Sequence, residues 1–364
     1  MPLVFVPMVK KLITMPPESQ IIPGPAPVWM SGLLRELASK NEIDDEKFER
    51  VMAFLTGETP EMCDAMAILS TWAARGERVE DFTRGARFLR AKMRQWCLGD
   101  GLMDTCGTGG DGASTFNIST VVGLVIASCG VRVVKHGNRA QSGTSGSTDL
   151  LGHWKIGFPG GQEQAFEILS QCGIVFCHAI KHHPCLAGLA PIRRRLGIRT
   201  LFNGLGPLCN PSSPKVQMIG VGFPDWVDPY ARALAALGTS RGLVIHGNDG
   251  LDEISLGAKT TVRYIHEGTI EELVWEASDF GLPNHSTKLF RVNSVMESAA
   301  MADLSLSGKD NPPRHIVLAN AGAGLWLFGK APSLLEGVEM AAKSIDSGKP
   351  GEILETLRSI CPAG

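Results

Sequence analysis

DTCGTGGDGASTFNISTVVGLVIASCGVRVVKHGNRAQSGTSGSTD, residues Asp104 to Asp149, is the stretch from which the rest of the chain is read. Glycine, serine, threonine and asparagine crowd it, and its only long apolar run is Val121 to Cys129. Glycines let backbone N–H groups turn toward a ligand, and a helix start adds unpaired N–H groups and the positive end of a dipole. A segment with both features holds an anion. Downstream of Gly101, short β-branched runs at Val131 to Val134, Gly173 to Cys177, Val216 to Gly222 and Gly242 to His246 alternate with helical stretches. That alternation predicts an α/β fold with a central, largely parallel sheet flanked by helices and ligands gathered beyond the carboxyl ends of the strands. Asn203 to Pro214, with three prolines, reads as a long ordered loop.

Upstream, Trp29 to Met93 has helical spacing. Thr59-Pro60 offers an N-cap and a first-turn proline, Met62, Ala65, Met66, Leu69, Trp72 and Ala73 make one apolar face, and Gly76 stands where a terminating glycine belongs. Val79, Phe82, Ala86, Leu89 and Met93 make a second face. Neither carries a catalytic constellation, so packing and subunit contact are their expected roles. Residues Pro2 to Met8 are apolar but too few to span a bilayer, and Lys10 and Lys11 follow them where a signal peptide needs charge first.

Composition narrows the function. A net charge of -2 gives no basic field, and the Arg193 to Arg199 cluster is short, which argues against nucleic acid. Nine cysteines without a C-x-x-C pair point to reduced thiols in a cytoplasmic protein.

Gly107-Thr108-Gly109-Gly110-Asp111-Gly112 satisfies G-x-G-x-x-G, yet the dinucleotide version needs a helix at its last glycine and an acid some distance on to grip a ribose. Here a second turn, Ala113 to Phe116, precedes Asn117-Ile118-Ser119-Thr120, and the next strand ends in Lys135. Gly107 and Asn117, ten residues apart, thus open two anion cradles, which suits a ligand with two phosphate groups. A tight turn followed by an ordinary N-cap explains either loop alone, but poorly explains both. Lys135-His136-Gly137-Asn138-Arg139 adds a point charge, and Ser142, Gly143, Ser145, Gly146 and Ser147 a third set of small donors. Asp252-Glu253, after a strand and the turn Gly247 to Gly250, offers hard oxygens for Mg2+ beside phosphates. By itself such an acidic pair is a solvated turn. Cys172, Cys177, His178, His182, His183 and Cys185 match no paired zinc spacing, and Ile174 to Cys177 reads as a buried strand.

These motifs, with Gly197 to Asn203 (GIRTLFN), Asn203 to Pro211 (NGLGPLCNP) and Gly250 to Ser255 (GLDEIS), resemble anthranilate phosphoribosyltransferase of the tryptophan pathway, from about Leu33 to Leu357. The resemblance implies transfer of the phosphoribosyl group of phosphoribosyl pyrophosphate (PRPP) to the amine of anthranilate. It leaves residues 1–27 as an extension and further implies a helical domain over 28–98 joined by a helix over 181–196, an α/β domain over 99–364, and a homodimer formed through the helical domain.

By motif, the resemblance assigns PRPP to Gly107, Gly110, Asp111, Thr115, Asn117, Ile118, Ser119, Thr120, Lys135, Gly137, Asn138, Arg139, Ser142, Gly143 and Ser147. Lys135 would also stabilise the leaving diphosphate, and Ser119, Asp252 and Glu253 would hold Mg2+. Gly107, His136, Asn138, His183 and Arg193 would meet anthranilate, Arg193 because a guanidinium matches a carboxylate bidentately. No nucleophile is required. Where the family commonly carries two serines this chain has Ser142-Gly143, and Cys185-Leu186-Ala187-Gly188 and Gly204 replace a basic and a larger apolar residue. The acceptor mouth is therefore expected to be less basic and roomier. Three alternatives stand beside this reading: a PRPP-dependent paralogue with another amine acceptor, a pyrimidine nucleoside phosphorylase, and a non-catalytic binding protein. Asp252-Glu253 speaks against the phosphorylase, and the absence of strong basicity against the nucleic-acid-binding members of the superfamily.

Overall fold

The computed structural model describes residues 26–138 and 145–363. Seven strands form one sheet: β1 (Leu102–Asp104), β2 (Arg132–Gly137), β3 (Ile174–His178), β4 (Val216–Gly220), β5 (Arg241–Gly247), β6 (Thr260–His266) and β7 (Thr269–Trp275), in the order β3-β2-β1-β4-β5-β6-β7. Strands β1 to β5 pair in parallel, and β6 and β7 close the edge as an antiparallel hairpin joined through Glu267 and Gly268. The parallel part is the sheet expected from the sequence. The edge strand β7 is exposed along most of its length, with Thr269, Glu271 and Glu272 facing water beside Ile270 and Val274.

Alternation along the strands divides two cores. Met218, Leu243 and Ile245 point to one face, where the helices Ile118–Ser128 and Pro312–Phe328 pack. Ile219, Val244 and Ile265 point to the other, where they join Phe82, Leu89, Trp72 and Phe48 of the N-terminal helices through Tyr230 and Leu234 of the helix Val227–Ala236. A period of two on β4 and β5 therefore serves both layers at once. The helical region is a continuation of one face of the sheet, tied by T-shaped contacts of Phe82 with Trp226 and Tyr230 at ring separations of 5.1 and 5.2 Å.

Three local expectations are corrected. The helix Met62–Arg75 is capped by Glu61, whose carboxylate accepts the Asp64 N–H at 2.8 Å, so Thr59 and Pro60 lie outside it. A carboxylate at a helix start meets both the free N–H groups and the dipole. The stretch 181–196 is no single helix but Ala179–His182, a turn at Pro184–Leu186 and the helix Leu189–Leu196. Pro184 forces that break, since the residue before a proline is pushed out of helical backbone. Most consequentially, Asn203 to Pro214 is no loop at its start. Residues Leu201–Leu208 form a helix capped by Thr200, with Pro207 in its last turn.

Candidate functional site

Strands β1 and β4 are neighbours, and the chain leaves them toward opposite sides of the sheet, so their carboxyl ends frame a crevice. Gly107 and Gly220, just past β1 and at the end of β4, pair across it, and Thr108 N–H reaches the Gly220 carbonyl at 2.8 Å. The loop carrying Asp252 and Glu253 is pressed onto this pair. A Cβ at Gly107 would stand 2.6 Å from Asp252 Oδ2, and one at Gly220 would stand 1.6 Å from the Asp252 carbonyl oxygen. Both positions need glycine for close approach, not for turning.

The carboxylates crowd. Asp252 Oδ2 accepts the Gly109 N–H at 2.9 Å, Asp111 Oδ1 accepts the Ala113 N–H at 3.0 Å, and Asp111 Oδ2 is buried with no partner. Burial, then the charge of Asp111, pushes Asp252 up to about 7. Burial, then the charge of Asp252, pushes Glu253 well above the usual carboxylate range, against the pull of Lys135 and a Ser119 N–H. Acids raised in this way are a cluster short of positive charge. Among the described residues no three His, Cys, Asp or Glu side chains gather around one point. The arrangement fits a hard cation that takes two carboxylates and keeps its other places for water and phosphate oxygen, as Mg2+ does.

Lys135, at the end of β2, is 2 % exposed, and its ammonium donates to the Thr105 carbonyl. It pulls on Asp104 beneath it, which burial nevertheless raises to about 6. Asp104 accepts the Asn210 amide at 2.8 Å and the His136 N–H at 3.3 Å. The second cradle opens the helix Ile118–Ser128, whose first residue is buried and whose Thr120 hydroxyl is buried without a partner. Asn117 caps it and ties three segments: its amide donates to the Ser145 carbonyl at 3.1 Å and accepts the Ser145 and Ser298 hydroxyls, each at 2.8 Å. Thr115 bridges to Arg291, and Gly110 has φ +76 and lies on Phe223. Gly137 lies against Ser147, whose hydroxyl donates to the Asn138 carbonyl at 3.2 Å. Arg139, Ser142 and Gly143 lie outside the described residues.

Three of the residues expected to meet anthranilate, His136, His183 and Arg193, converge on the helix Leu201–Leu208 and the residue after it. His136 Nδ1 meets the Gly206 carbonyl at 3.0 Å, and His183 Nε2 meets the Cys209 carbonyl at 3.0 Å. A carbonyl only accepts, so each ring carries its proton on that nitrogen. The opposite nitrogens, His136 Nε2 and His183 Nδ1, are buried lone pairs without partners, on rings 5.3 Å apart. Burial lowers His136 to about 3 and His183 to about 4, so both are neutral. Burial also lowers Arg193 to about 10, and its Nη2 donates to Asn203 Oδ1 at 3.2 Å. Among the described residues it makes no salt bridge.

The expectation of a roomier mouth at Gly204 fails. A Cβ there would meet Phe82 at 2.5 Å and Trp226 at 3.0 Å, in the helical core. Gly188 is likewise a packing position, 2.4 Å from the Glu58 carbonyl by the same measure. Residues missed by sequence reasoning are Asn203 and the carbonyls of Gly206 and Cys209. The one signal for them was Thr200-x-x-Asn203, a capping spacing that ends four residues ahead of Pro207. The tempting Cys/His stretch disperses: Cys172 and Cys177 are buried in the sheet core, and His182 meets the Arg94 carbonyl at 2.7 Å.

Comparison with known proteins gives one picture. The profile of the glycosyl transferase family a/b domain matches residues 99–350. The anthranilate phosphoribosyltransferase of Symbiobacterium thermophilum is 39% identical over 332 residues, covering 90% of this chain and 97% of that one. That of Thioalkalivibrio sulfidiphilus is 38% identical, covering 91% and 98%. Among solved structures, anthranilate phosphoribosyltransferase from Thermus thermophilus superposes with a TM-score of 0.81 at 35% identity, over 90% of this chain and 98% of that one. The Saccharomyces cerevisiae enzyme in complex with PRPP and Mg superposes at 0.79 with 25% identity, over 91% and 97%.

Proposed function

The chain belongs to the anthranilate phosphoribosyltransferases of the glycosyl transferase family, and on that premise we propose that it transfers the phosphoribosyl group of PRPP to the amine of anthranilate, releasing diphosphate, in tryptophan biosynthesis. What supports this reading is the adjacency of two chemistries, which meet in the chain at Lys135 and His136. An anion-seeking set of glycine turns, helix N-terminus and Lys135 is followed in the chain by His136, one of two neutral histidines that share the helix Leu201–Leu208 and its end with a half-buried Arg193, which makes no salt bridge among the described residues.

On the donor side, PRPP takes the cradles at Gly107 to Asp111 and Asn117 to Thr120, with Lys135, Gly137, Asn138 and Ser147 around it. Asp252 and Glu253, with Ser119, would hold Mg2+, which supplies charge neutralisation of the diphosphate when bound. Lys135 sits beside the same acids and stabilises negative charge on the departing group as C1 of the ribose gains positive character. Its burial fixes the ammonium before reaction, so little reorganisation is needed. On the acceptor side, Arg193 takes the carboxylate, and the neutral rings of His136 and His183 help to shape the pocket behind it. Such an amine is uncharged at pH 7 and attacks with its own lone pair, so the residues orient it without having to activate it.

We read the assembly as a cytoplasmic homodimer through the N-terminal helices. Support comes from Val28 and Met62, which are exposed on them, and from nine free cysteines. Among the described residues no helix is long and apolar enough to cross a membrane. Light scattering in solution tests the dimer. Loss of anthranilate fluorescence on mixing purified protein with PRPP, Mg2+ and anthranilate tests the reaction: the loss is expected only when all three are present. Binding of PRPP without consumption of anthranilate would redirect the acceptor assignment to another amine.

A further inference from the structure

Asn203 Oδ1 serves two masters. It accepts the Thr200 N–H at 3.1 Å and the Thr200 hydroxyl at 3.3 Å, which caps the helix Leu201–Leu208, and it accepts Arg193 Nη2 at 3.2 Å. Arg193 comes from the separate helix Leu189–Leu196, whose Leu189 and Ile192 are anchored in the helical core, and its guanidinium lies 5.9 Å from the Phe202 ring. One oxygen therefore fixes both the start of the helix that carries the acceptor pocket and the direction of the cation that faces it. The chemical nature of that oxygen matters. A carboxylate would accept the same three donors, but it would neutralise the guanidinium. An amide oxygen orients one N–H and leaves the positive charge and the remaining donors uncompensated.

We propose that Asn203 is a positioning and specificity-determining residue: by holding Arg193 with a neutral acceptor, it makes the pocket demand an anionic amine substrate. This rests on the acceptor reading given above. A guanidinium already paired with a buried acid has little left for a second carboxylate, whereas an unpaired one discriminates strongly against an acceptor lacking that charge.

The test is Asn203→Asp, which keeps size and every acceptor contact and changes charge alone. The unaltered protein, Asn203→Asp, Asn203→Ser and Thr200→Val are compared by kcat/KM with anthranilate and with its neutral isostere 2-aminobenzamide. Asn203→Asp is expected to lower the anthranilate value by about tenfold or more, leave 2-aminobenzamide within about twofold, and leave the KM for PRPP unchanged. Asn203→Ser and Thr200→Val, which weaken the cap without adding charge, are expected to keep the preference for the anion. Equal losses on both acceptors in Asn203→Asp would overturn the proposal. So would a Thr200→Val shift in the ratio as large as that of Asn203→Asp, or an Asn203→Asp protein unable to fold, since its contacts are conserved. Failure of the unaltered protein to use anthranilate would instead remove the acceptor reading on which the proposal stands.

Discussion

The two sides of the crevice are built by different means. The anion-holding part of the proposed donor side is made of contiguous stretches whose glycines, hydroxyls and N–H groups act through the backbone, so that part is spelled locally between Gly107 and Lys135, with Asp252 and Glu253 brought onto it from the loop after β5. The proposed acceptor side is made of single side chains from distant segments, His136, His183 and Arg193, held by Gly206 and Asn203 of the helix Leu201–Leu208 and by Cys209 just after it. An anion of any shape can be met by a run of amides, but a small aromatic acid must be met by fixed groups in three dimensions. The difference predicts that the donor side fails through charge and close approach, and the acceptor side through loss of orientation.

Replacing Asp252 and Glu253 together with Asn and Gln breaks the donor side hardest. Turnover should fall on the order of 100-fold or more while the circular dichroism spectrum is kept. Persistence of the same Mg2+ dependence would remove these acids from the site. Gly220→Ala strikes the same place through sterics, since its Cβ would lie 1.6 Å from the Asp252 carbonyl. The expected cost is about 3 kcal/mol, read as a lower urea midpoint, because backbone rather than a mobile side-chain tip must move. A neutral result would mean that the Asp252 loop is not pressed onto β4.

On the acceptor side, Thr200→Val removes one hydroxyl from the cap of the helix Leu201–Leu208 and should cost about 1 kcal/mol of stability. The smallest effect is a pH dependence. His136 and His183 have folded values of about 3 and 4 against an ordinary 6.5, so the unfolded chain binds protons that the folded one refuses. Their contribution is complete above about pH 6.5 and is lost as pH falls toward 4. A His136→Gln, His183→Gln protein should therefore lose less melting temperature between pH 7 and pH 5 than its parent, and the anthranilate KM of the parent should stay flat over that range. A KM limb near 6.5 would show that one of the rings protonates in the folded protein.

The same contrast explains what the sequence allowed to be read. Runs such as Val131 to Val134 and the helix after Asn117 declare themselves by periodicity, and the position of the glycine turns at strand ends follows from the parallel sheet. Asn117 was legible as a cap, but its ties to Ser145 and Ser298 join residues 28 and 181 positions away, which no local pattern carries. Pro207 disguised the helix Leu201–Leu208, because a proline tolerated in a last turn looks from sequence like a loop residue. Gly204 was misplaced for a related reason: glycine marks close approach without saying to what, and here the neighbour is Phe82. Arg193 was named from the sequence, but its neutral partner Asn203 was not, because their pairing is a property of tertiary packing.

The central claim, one crevice with an anion-holding donor side and an Arg193-defined acceptor side, is tested most directly by steady-state kinetics of Arg193→Ala with both substrates varied. The account predicts a rise of roughly 30-fold or more in the KM for anthranilate, matching about 2 kcal/mol for a lost buried charge pair, and a KM for PRPP within about twofold of the parent. Equal rises for both substrates, or no change for anthranilate, would contradict it.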